Sequence, residues 1–150
     1  MTYTTTLALA AALSIALALL HIVMIFVGAE AYRYFAAGKE MVDAAQAGSF
    51  KPALITLGVT VFFALFGLYA ISGAGYVKTL PLLQPALWLI GCIYSARGLA
   101  IIVQIVMLLQ GKTGANLETK DLVFSLVSLF IGTVYLIGAW QRTTAINSTP

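Results

Sequence analysis

One arginine lies near the middle of an apolar run of membrane length, and its position needs a physical explanation. Arg97 occurs in the run LLQPALWLIGCIYSARGLAIIVQIVMLL at residues 82–109. A charged side chain at bilayer depth costs about 3 kcal/mol on insertion scales, and such charges tend to mark functional sites. The guanidinium therefore needs a partner, which an acid, water, backbone carbonyls or an anionic ligand would supply.

Polar residues of the other apolar runs fall near the depth of Arg97 when a rise of about 1.5 Å per residue is counted. Tyr94 and Gln104 also share a face of their helix with Arg97. We expect these residues to form a polar vestibule that binds the headgroup of an anionic amphiphile. The predicted ligand-binding residues are Arg97, His21, Tyr94, Gln104, Thr60 and Ser128.

No acidic residue is in register with Arg97. Glu30 follows the first apolar run about half a turn out of phase with His21, and faces inward only if the helix breaks at Gly28. Asp121 is in phase at the start of the fourth run but lies at a shallower depth. Water, backbone carbonyls and an anionic ligand remain as expected partners of the guanidinium.

Structural roles compete with ligand binding at these positions. Serine and threonine in membrane helices commonly bond to their own backbone, which fits Thr60 and Ser128. A lone histidine at depth is often a satisfied core residue, and a long cationic side chain can extend along its helix towards the polar interface. His21 and Arg97 therefore also have structural interpretations.

Catalytic, metal and redox chemistry have few residues to use. His21 is the only histidine and Cys92 the only cysteine, which excludes a CxxC pair and a thiolate metal cluster. His21 and Ser128 have no acid to orient the imidazole as a serine triad requires. We therefore expect no metal and no cofactor, and favour a non-catalytic accessory subunit or lipid binder.

Two alternative functions remain open. A small transporter or proton-linked carrier would use His21 as a group titrating near about pH 6.5, and His21→Ala would abolish its pH-dependent flux. Separately, the length, the four helices and the pair Tyr94 and Arg97 are broadly similar to the glutathione-handling membrane proteins that include microsomal glutathione transferase. That resemblance implies a trimer in which the arginine stabilises a glutathione thiolate. The family's Arg, Asn and Glu motif on the second helix is missing here, so the similarity is architectural.

The elements that must position these residues are four apolar runs. Apolar residues make up 61% of the 150 residues and charged residues 9%, whereas a soluble domain has about 25% charged residues. The runs lie at 7–27, 53–72, 82–109 and 121–140, and about 20 residues suffice to cross a bilayer. The sequence predicts one all-α membrane domain, a four-helix up-down bundle.

The stretch between the first two runs is rich in helix-forming residues. It predicts either an extension of the first helix or a helix along the membrane interface, with Tyr32, Tyr34 and Phe35 in the headgroup layer. The first run lacks a preceding Lys or Arg and exceeds the about 7–15 residues of a signal core, so we expect it to be retained. The polar residues 141–150 predict a frayed tail.

Orientation and partners follow from the distribution of charge and small residues. More Lys and Arg flank the connections after the first and third runs, which favours a cytoplasmic location for those connections and places both termini outside. The net charge of +3 is scattered, so no nucleic-acid partner is expected. We expect membrane lipid and a homo-oligomer or larger membrane complex, with Ala8, Ala12, Ala16 and the glycines of the fourth helix as contact faces.

Four segments carry a closer family resemblance. They are GAEAYRYFAAG at 28–38, PALITLG to LYAISGAG at 52–75, LPLLQPAL at 80–87 and IYSARGLAII at 93–102. With these segments the chain resembles a family of short, four-helix inner-membrane proteins of proteobacteria. The resemblance covers the middle two-thirds of the chain. It implies a multi-pass protein of the bacterial inner membrane and no particular chemistry.

Overall fold

The protein is all-helical over the residues that its computed structural model describes. These are residues 2–111 and 119–148, with only the helical backbone at residues 104, 108 and 119. No strand occurs within these ranges. The helices are α1 (Tyr3–Val27), α2 (Ala29–Tyr34), α3 (Lys39–Gln46), α4 (Lys51–Gly73), α5 (Leu83–Leu109) and α6 (Thr119–Asn147).

Four of these helices, α1, α4, α5 and α6, are long and apolar enough to cross a membrane. The shortest, α4, has 23 residues, which at about 1.5 Å per residue exceeds the about 30 Å of a hydrocarbon core. At most 39% of the residues in the apolar window of any of them are buried. Their large apolar side chains are therefore mostly exposed, as a multi-pass membrane protein presents them to lipid. The prediction of an all-helical chain with four helices of membrane length is confirmed.

The fourth long helix extends further than its apolar pattern indicates. α6 continues to Asn147, so the prediction of a frayed tail is wrong for residues 141–147. The polar side chains there have partners within the chain. Arg142 donates to the Oε1 atom of Gln84 over 2.8 Å, and the Thr143 hydroxyl donates to the Ala139 carbonyl over 2.9 Å. These bonds stabilise the last turns of α6 where apolar burial ends.

The segment after α1 is two short helices, because the chain turns at two glycines. Gly28 has φ +74° between α1 and α2, and Gly38 has φ +99° just before α3. Residues with a side chain rarely adopt such backbone angles. The segment is thus helical without being a continuous extension of α1, and its location at a membrane interface stays a prediction.

The chain divides into two compact units. One comprises Met1–Ala11 with Tyr69–Pro150, and the other is Ala12–Leu68. The first unit contains the packed pair of α5 and α6, where glycines allow close approach of the two backbones. A Cβ atom added at Gly98 would lie 2.7 Å from the Leu129 nitrogen, and one at Gly132 would lie 2.9 Å from the Gly91 carbonyl oxygen. Small residues at helix contacts are typical of membrane proteins.

The start of α1 belongs to the same unit and packs on two further glycines. The Leu7 side chain is fully buried. It lies where a Cβ atom at Gly73 or Gly138 would be, within 2.9 Å and 2.6 Å respectively. Gly132 and Gly138 of α6 are therefore covered within the chain and are not available for contact with a second copy. Ala12 and Ala16, which lie in the other unit, are exposed.

The second unit has a small apolar core where α2 and α3 meet the end of α1. The buried residues are Met24, Ala31 and Tyr32, with the partly buried Phe35, Met41, Val42 and Ala45 packed against them. Tyr32 is only 2% exposed. The prediction that its ring anchors in the headgroup layer is wrong, because the ring is a core side chain of this unit.

Candidate functional site

Arg97 lies in the middle of α5, fourteen positions after Leu83 and twelve before Leu109. At about 1.5 Å per residue the guanidinium leaves its helix roughly 20 Å from either end. The side chain is exposed. Within the described part of its own unit, Arg97 has no hydrogen bond or ion pair. A cation in the middle of a membrane-length helix therefore lacks a partner among the described residues of its own unit.

Tyr94 is one turn before Arg97 and has a different environment. It is 3% exposed, and its ring stacks on Tyr135 of α6 with centroids 5.7 Å apart and an interplanar angle of 23°. Ile90 and Ile101, on the same side of α5, are also buried. Tyr94 and Arg97 thus share a side of the helix by spacing, but the tyrosine ring is used in packing α5 on α6.

Ser128 lies on α6 at the level of Arg97. The neighbouring Gly98 fixes this level, since a Cβ atom there would lie within 2.8 Å of the Ser125 carbonyl oxygen and 2.7 Å of Leu129. Ser128 is half-buried. Gln104 is in α5 seven residues beyond Arg97, but its side chain lies outside the described residues. The first unit therefore brings Arg97 and Ser128 to one level of the α5–α6 pair.

His21 is half-buried in α1 and has one ring nitrogen bonded to its own helix. Its Nδ1 atom is 2.8 Å from the Leu17 carbonyl oxygen. Because a carbonyl can only accept, Nδ1 is the donor in this hydrogen bond. The ring also lies 4.9 Å from that of Phe63 on α4. The histidine is therefore oriented by local packing, and its Nε2 atom has no hydrogen-bond partner among the described residues.

Thr60 has the structural role that its residue type favours. It is buried in α4, and its hydroxyl donates to the Thr56 carbonyl over 2.9 Å. The single hydroxyl proton of Thr56 is shared between the Pro52 carbonyl at 2.8 Å and the Tyr32 hydroxyl oxygen at 3.3 Å. These bonds satisfy the threonine protons within the unit. Of the two threonines, Thr56 makes the contact that joins two elements.

The predicted site residues are divided between the two units. Arg97, Tyr94, Gln104 and Ser128 belong to the first unit, and His21 and Thr60 to the second. The convergence of all six side chains on one vestibule stays a prediction. What the structure establishes is the exposed Arg97 level with Ser128, and the commitment of Thr60 and of one His21 nitrogen to backbone carbonyls.

A cavity of about 400 Å³ lies between α2 and α3 and was missed by reasoning from the sequence. It is lined by Tyr32, Arg33, Ala36, Gly38, Lys39, Val42, Asp43 and Gln46. Arg33 donates through one guanidinium nitrogen to both carboxylate oxygens of Glu30, at 2.9 and 3.1 Å. The signal in the sequence was the i,i+4 pair Lys39 and Asp43 following the turn glycine Gly38, which helical spacing places on one face.

Polar side chains also tie the first unit together away from Arg97. Gln84 donates from Nε2 to the Ala139 carbonyl at 2.9 Å while accepting from Arg142, and Thr6 donates to Gln141 at 2.9 Å. The Ser72 hydroxyl oxygen accepts a hydrogen bond from the Leu80 backbone N–H over 3.0 Å, which stabilises the turn between α4 and α5. These residues connect elements that are distant in sequence, which periodicity alone does not indicate.

Comparison of the chain with protein-family models, with curated proteins and with solved structures finds no match.

Proposed function

We propose that this is a small non-catalytic protein of the bacterial inner membrane that binds an anionic amphiphile through Arg97, alone or as an accessory subunit of a membrane complex. The observation that carries the proposal is Arg97 itself. Its guanidinium leaves the middle of α5, is exposed, and has no partner within the described residues of its unit.

An anionic partner would remove most of the cost of that position. Burial of an unpaired cation in hydrocarbon is unfavourable, and an oppositely charged group with good hydrogen-bond geometry offsets the desolvation. The planar guanidinium suits a phosphate or carboxylate, because it donates two parallel hydrogen bonds to such groups. Ser128 lies at the same level of the α5–α6 pair and would add a hydroxyl donor.

The proposal includes insertion as a four-helix up-down bundle. The four long apolar helices support insertion, and short connections are typical of antiparallel neighbours. The proposal of a bacterial inner membrane rests on the resemblance of four segments, at 28–38, 52–75, 80–87 and 93–102, to short proteobacterial membrane proteins. In this arrangement Arg97 lies near the midplane, out of reach of headgroups in their usual layer. The ligand would be an amphiphile whose acidic group enters between helices, or an acidic side chain of a partner protein.

Native mass spectrometry of the protein, purified in mild detergent, tests the proposal. Arg97→Leu removes the charge, Arg97→Lys keeps it without the planar guanidinium, and Lys78→Leu removes an exposed cation of the turn before α5 as a matched control. We expect a retained anionic lipid or small acid in the wild type and in Lys78→Leu, and its loss in Arg97→Leu. Partial retention in Arg97→Lys would show that charge and geometry both contribute.

Two outcomes contradict ligand binding. A bare protein of the same mass in the wild type and in Arg97→Leu would make the arginine structural. Retention of the same lipid by Arg97→Leu, with fold and association unchanged, would place the ligand elsewhere. In the accessory-subunit form of the proposal the wild type instead co-purifies with a membrane protein that Arg97→Leu loses.

A further inference from the structure

The α2–α3 segment forms a hairpin with an open cavity at its surface, since most of the residues that line the cavity are exposed. The chain enters it at Gly28 and leaves it at Gly48, both with φ +74°. Tyr32 anchors the hairpin, because its ring is buried against Met24 and its hydroxyl oxygen receives the Thr56 hydroxyl over 3.3 Å. The cavity of about 400 Å³ is therefore lined by elements that pack on α1 and α4 of the same unit, rather than by a free loop.

Charges of both signs line this cavity. Arg33 is at the end of α2, Lys39 starts α3, and Asp43 lies one turn further along α3. Glu30 orients Arg33 through a single guanidinium nitrogen, so the other N–H groups remain available. In the described ranges the side chains of Lys39 and Asp43 have no hydrogen-bond or ion-pair partner. Two cationic donors and one carboxylate thus share one small volume.

In the proposed membrane arrangement the cavity would lie near the headgroup layer, because it follows directly after a membrane-length helix. α2 follows α1 directly after the turn at Gly28, and α1 is one of the four membrane-length helices. The last residues of α1 are exposed and apolar, with Phe26 86% exposed. Phe26 and Val27 thus precede the hairpin by only a few residues and leave apolar surface exposed at this end of α1.

We infer that this cavity binds a phosphoethanolamine headgroup. Arg33 and Lys39 would bind the phosphodiester, and the Asp43 carboxylate would accept hydrogen bonds from the primary ammonium. A volume of about 400 Å³ is within the usual 300–1,000 Å³ of small-molecule sites. A glycerol headgroup has no cation for Asp43, and the quaternary ammonium of choline has no N–H to donate. The site involves none of the residues proposed to bind an anion with Arg97.

Lipid competition tests this inference on the full-length protein. The purified protein would be reconstituted in nanodiscs with equal amounts of phosphatidylethanolamine, phosphatidylcholine and phosphatidylglycerol, extracted in mild detergent, and the retained lipids counted by native mass spectrometry. We expect preferential retention of phosphatidylethanolamine. Lys39→Gln and Asp43→Asn should each weaken it about two- to fivefold, the range expected from one exposed ion pair.

Matched controls separate the cavity from general surface charge. Lys51→Gln removes an exposed cation and Glu40→Gln an exposed acid of α3, and neither residue lines the cavity. Both controls should retain phosphatidylethanolamine like the wild type. All four changed residues are exposed, so unchanged helicity by circular dichroism is expected throughout.

The outcomes distinguish recognition of the free headgroup from recognition of the whole lipid, and three results would refute the inference. Displacement of the lipid by free glycerophosphoethanolamine would show that the headgroup alone is recognised, and its failure to compete would identify the whole lipid as the ligand. Equal retention of the three lipids, an Asp43→Asn variant that binds like the wild type, or equal losses in Glu40→Gln would each refute it. Arg97→Leu should leave phosphatidylethanolamine retention unchanged, so this inference and the Arg97 proposal fail separately.

Discussion

At the scale of single residues, Arg97 and Tyr32 have environments that their residue types do not indicate. Arg97 is a cation in the middle of an apolar helix and is exposed. Tyr32 is an amphipathic residue in a polar segment and is 2% exposed. The buried tyrosine retains a polar partner, since its hydroxyl oxygen receives a hydrogen bond from Thr56. That single bond connects α2 to α4 and has a measurable consequence.

Tyr32→Phe should lower the stability of the protein slightly. The substitution keeps the ring and removes the acceptor for Thr56, whose hydroxyl still donates to the Pro52 carbonyl at 2.8 Å. A typical hydrogen bond contributes about 0.5–1.5 kcal/mol, and we expect the lower half of that range because no donor becomes unsatisfied. Thermal unfolding in detergent measures the change. Tyr76→Phe, at an exposed position in the turn before α5, is the control and should melt like the wild type. Identical melting of both variants would show that the Thr56 contact contributes nothing.

At the scale of elements, the contact between α5 and α6 depends on glycines, which have no side chain to keep the two backbones apart. Gly91 and Gly98 of α5 and Gly132 of α6 are buried where the other helix passes. Close backbone approach of this kind stabilises membrane helix pairs by packing rather than by hydrophobic burial, because lipid is as apolar as the side chains. The level of Arg97 relative to α6 is set by the same contact.

Gly98→Ala and Gly132→Ala should destabilise the protein, whereas Gly58→Ala should not. A Cβ atom at Gly98 would lie 2.7 Å from the Leu129 backbone nitrogen, so α5 and α6 would have to separate. Overpacking of this kind costs about 1–3 kcal/mol. At Gly58, inside α4, nothing lies within 4 Å of an added Cβ atom, and replacing glycine by alanine in a helix favours folding by about 0.5–1 kcal/mol.

Thermal unfolding of the three glycine variants in one detergent gives the comparison. The expected order of melting temperatures is Gly58→Ala at or above the wild type, then Gly98→Ala and Gly132→Ala below it. Wild-type melting of both α5 and α6 variants would contradict a close contact between these helices.

At the scale of the whole molecule, the exposed apolar surface of four long helices is the dominant feature. Most of their large apolar side chains are not covered by the chain itself. A water-soluble protein typically buries such residues, and in the proposed arrangement lipid or other membrane helices would cover them. Whether the connections alternate between the two sides of one membrane, and whether the whole chain forms one membrane domain, remain predictions.

Cysteine labelling in cells tests the arrangement across the membrane. In a Cys92→Ala background, we expect Tyr76→Cys, in the turn between α4 and α5, to react with a membrane-impermeant maleimide in intact spheroplasts. Ser49→Cys, between α3 and α4, should react only after permeabilisation, because the excess of Lys and Arg favours the cytoplasm for that connection. The reverse pattern would place both termini in the cytoplasm, and labelling of both sites in intact spheroplasts would contradict the up-down arrangement.

The sequence by itself determined the helical class and the four membrane-length helices, because both depend on local properties. The backbone hydrogen bonds of a helix are made within the segment itself. A helix of about 20 apolar residues is also long enough to cross the hydrocarbon core without a partner chain. The sequence also identified Gly28 as the position where the first helix would have to break for Glu30 to face inward. The unusual position of Arg97 was evident from the same apolar pattern.

Only the tertiary structure decided which polar side chains have partners. Tyr32 is buried because Met24 of α1 and apolar side chains of α3 pack around it. The end of α6 is ordered because Gln84, more than fifty residues earlier, accepts a hydrogen bond from Arg142. The cavity lies between α2 and α3 because the chain turns between these helices at Ala36 and Gly38, which both have positive φ angles. Each of these features depends on which segment comes alongside another, and helical periodicity carries no information about that choice.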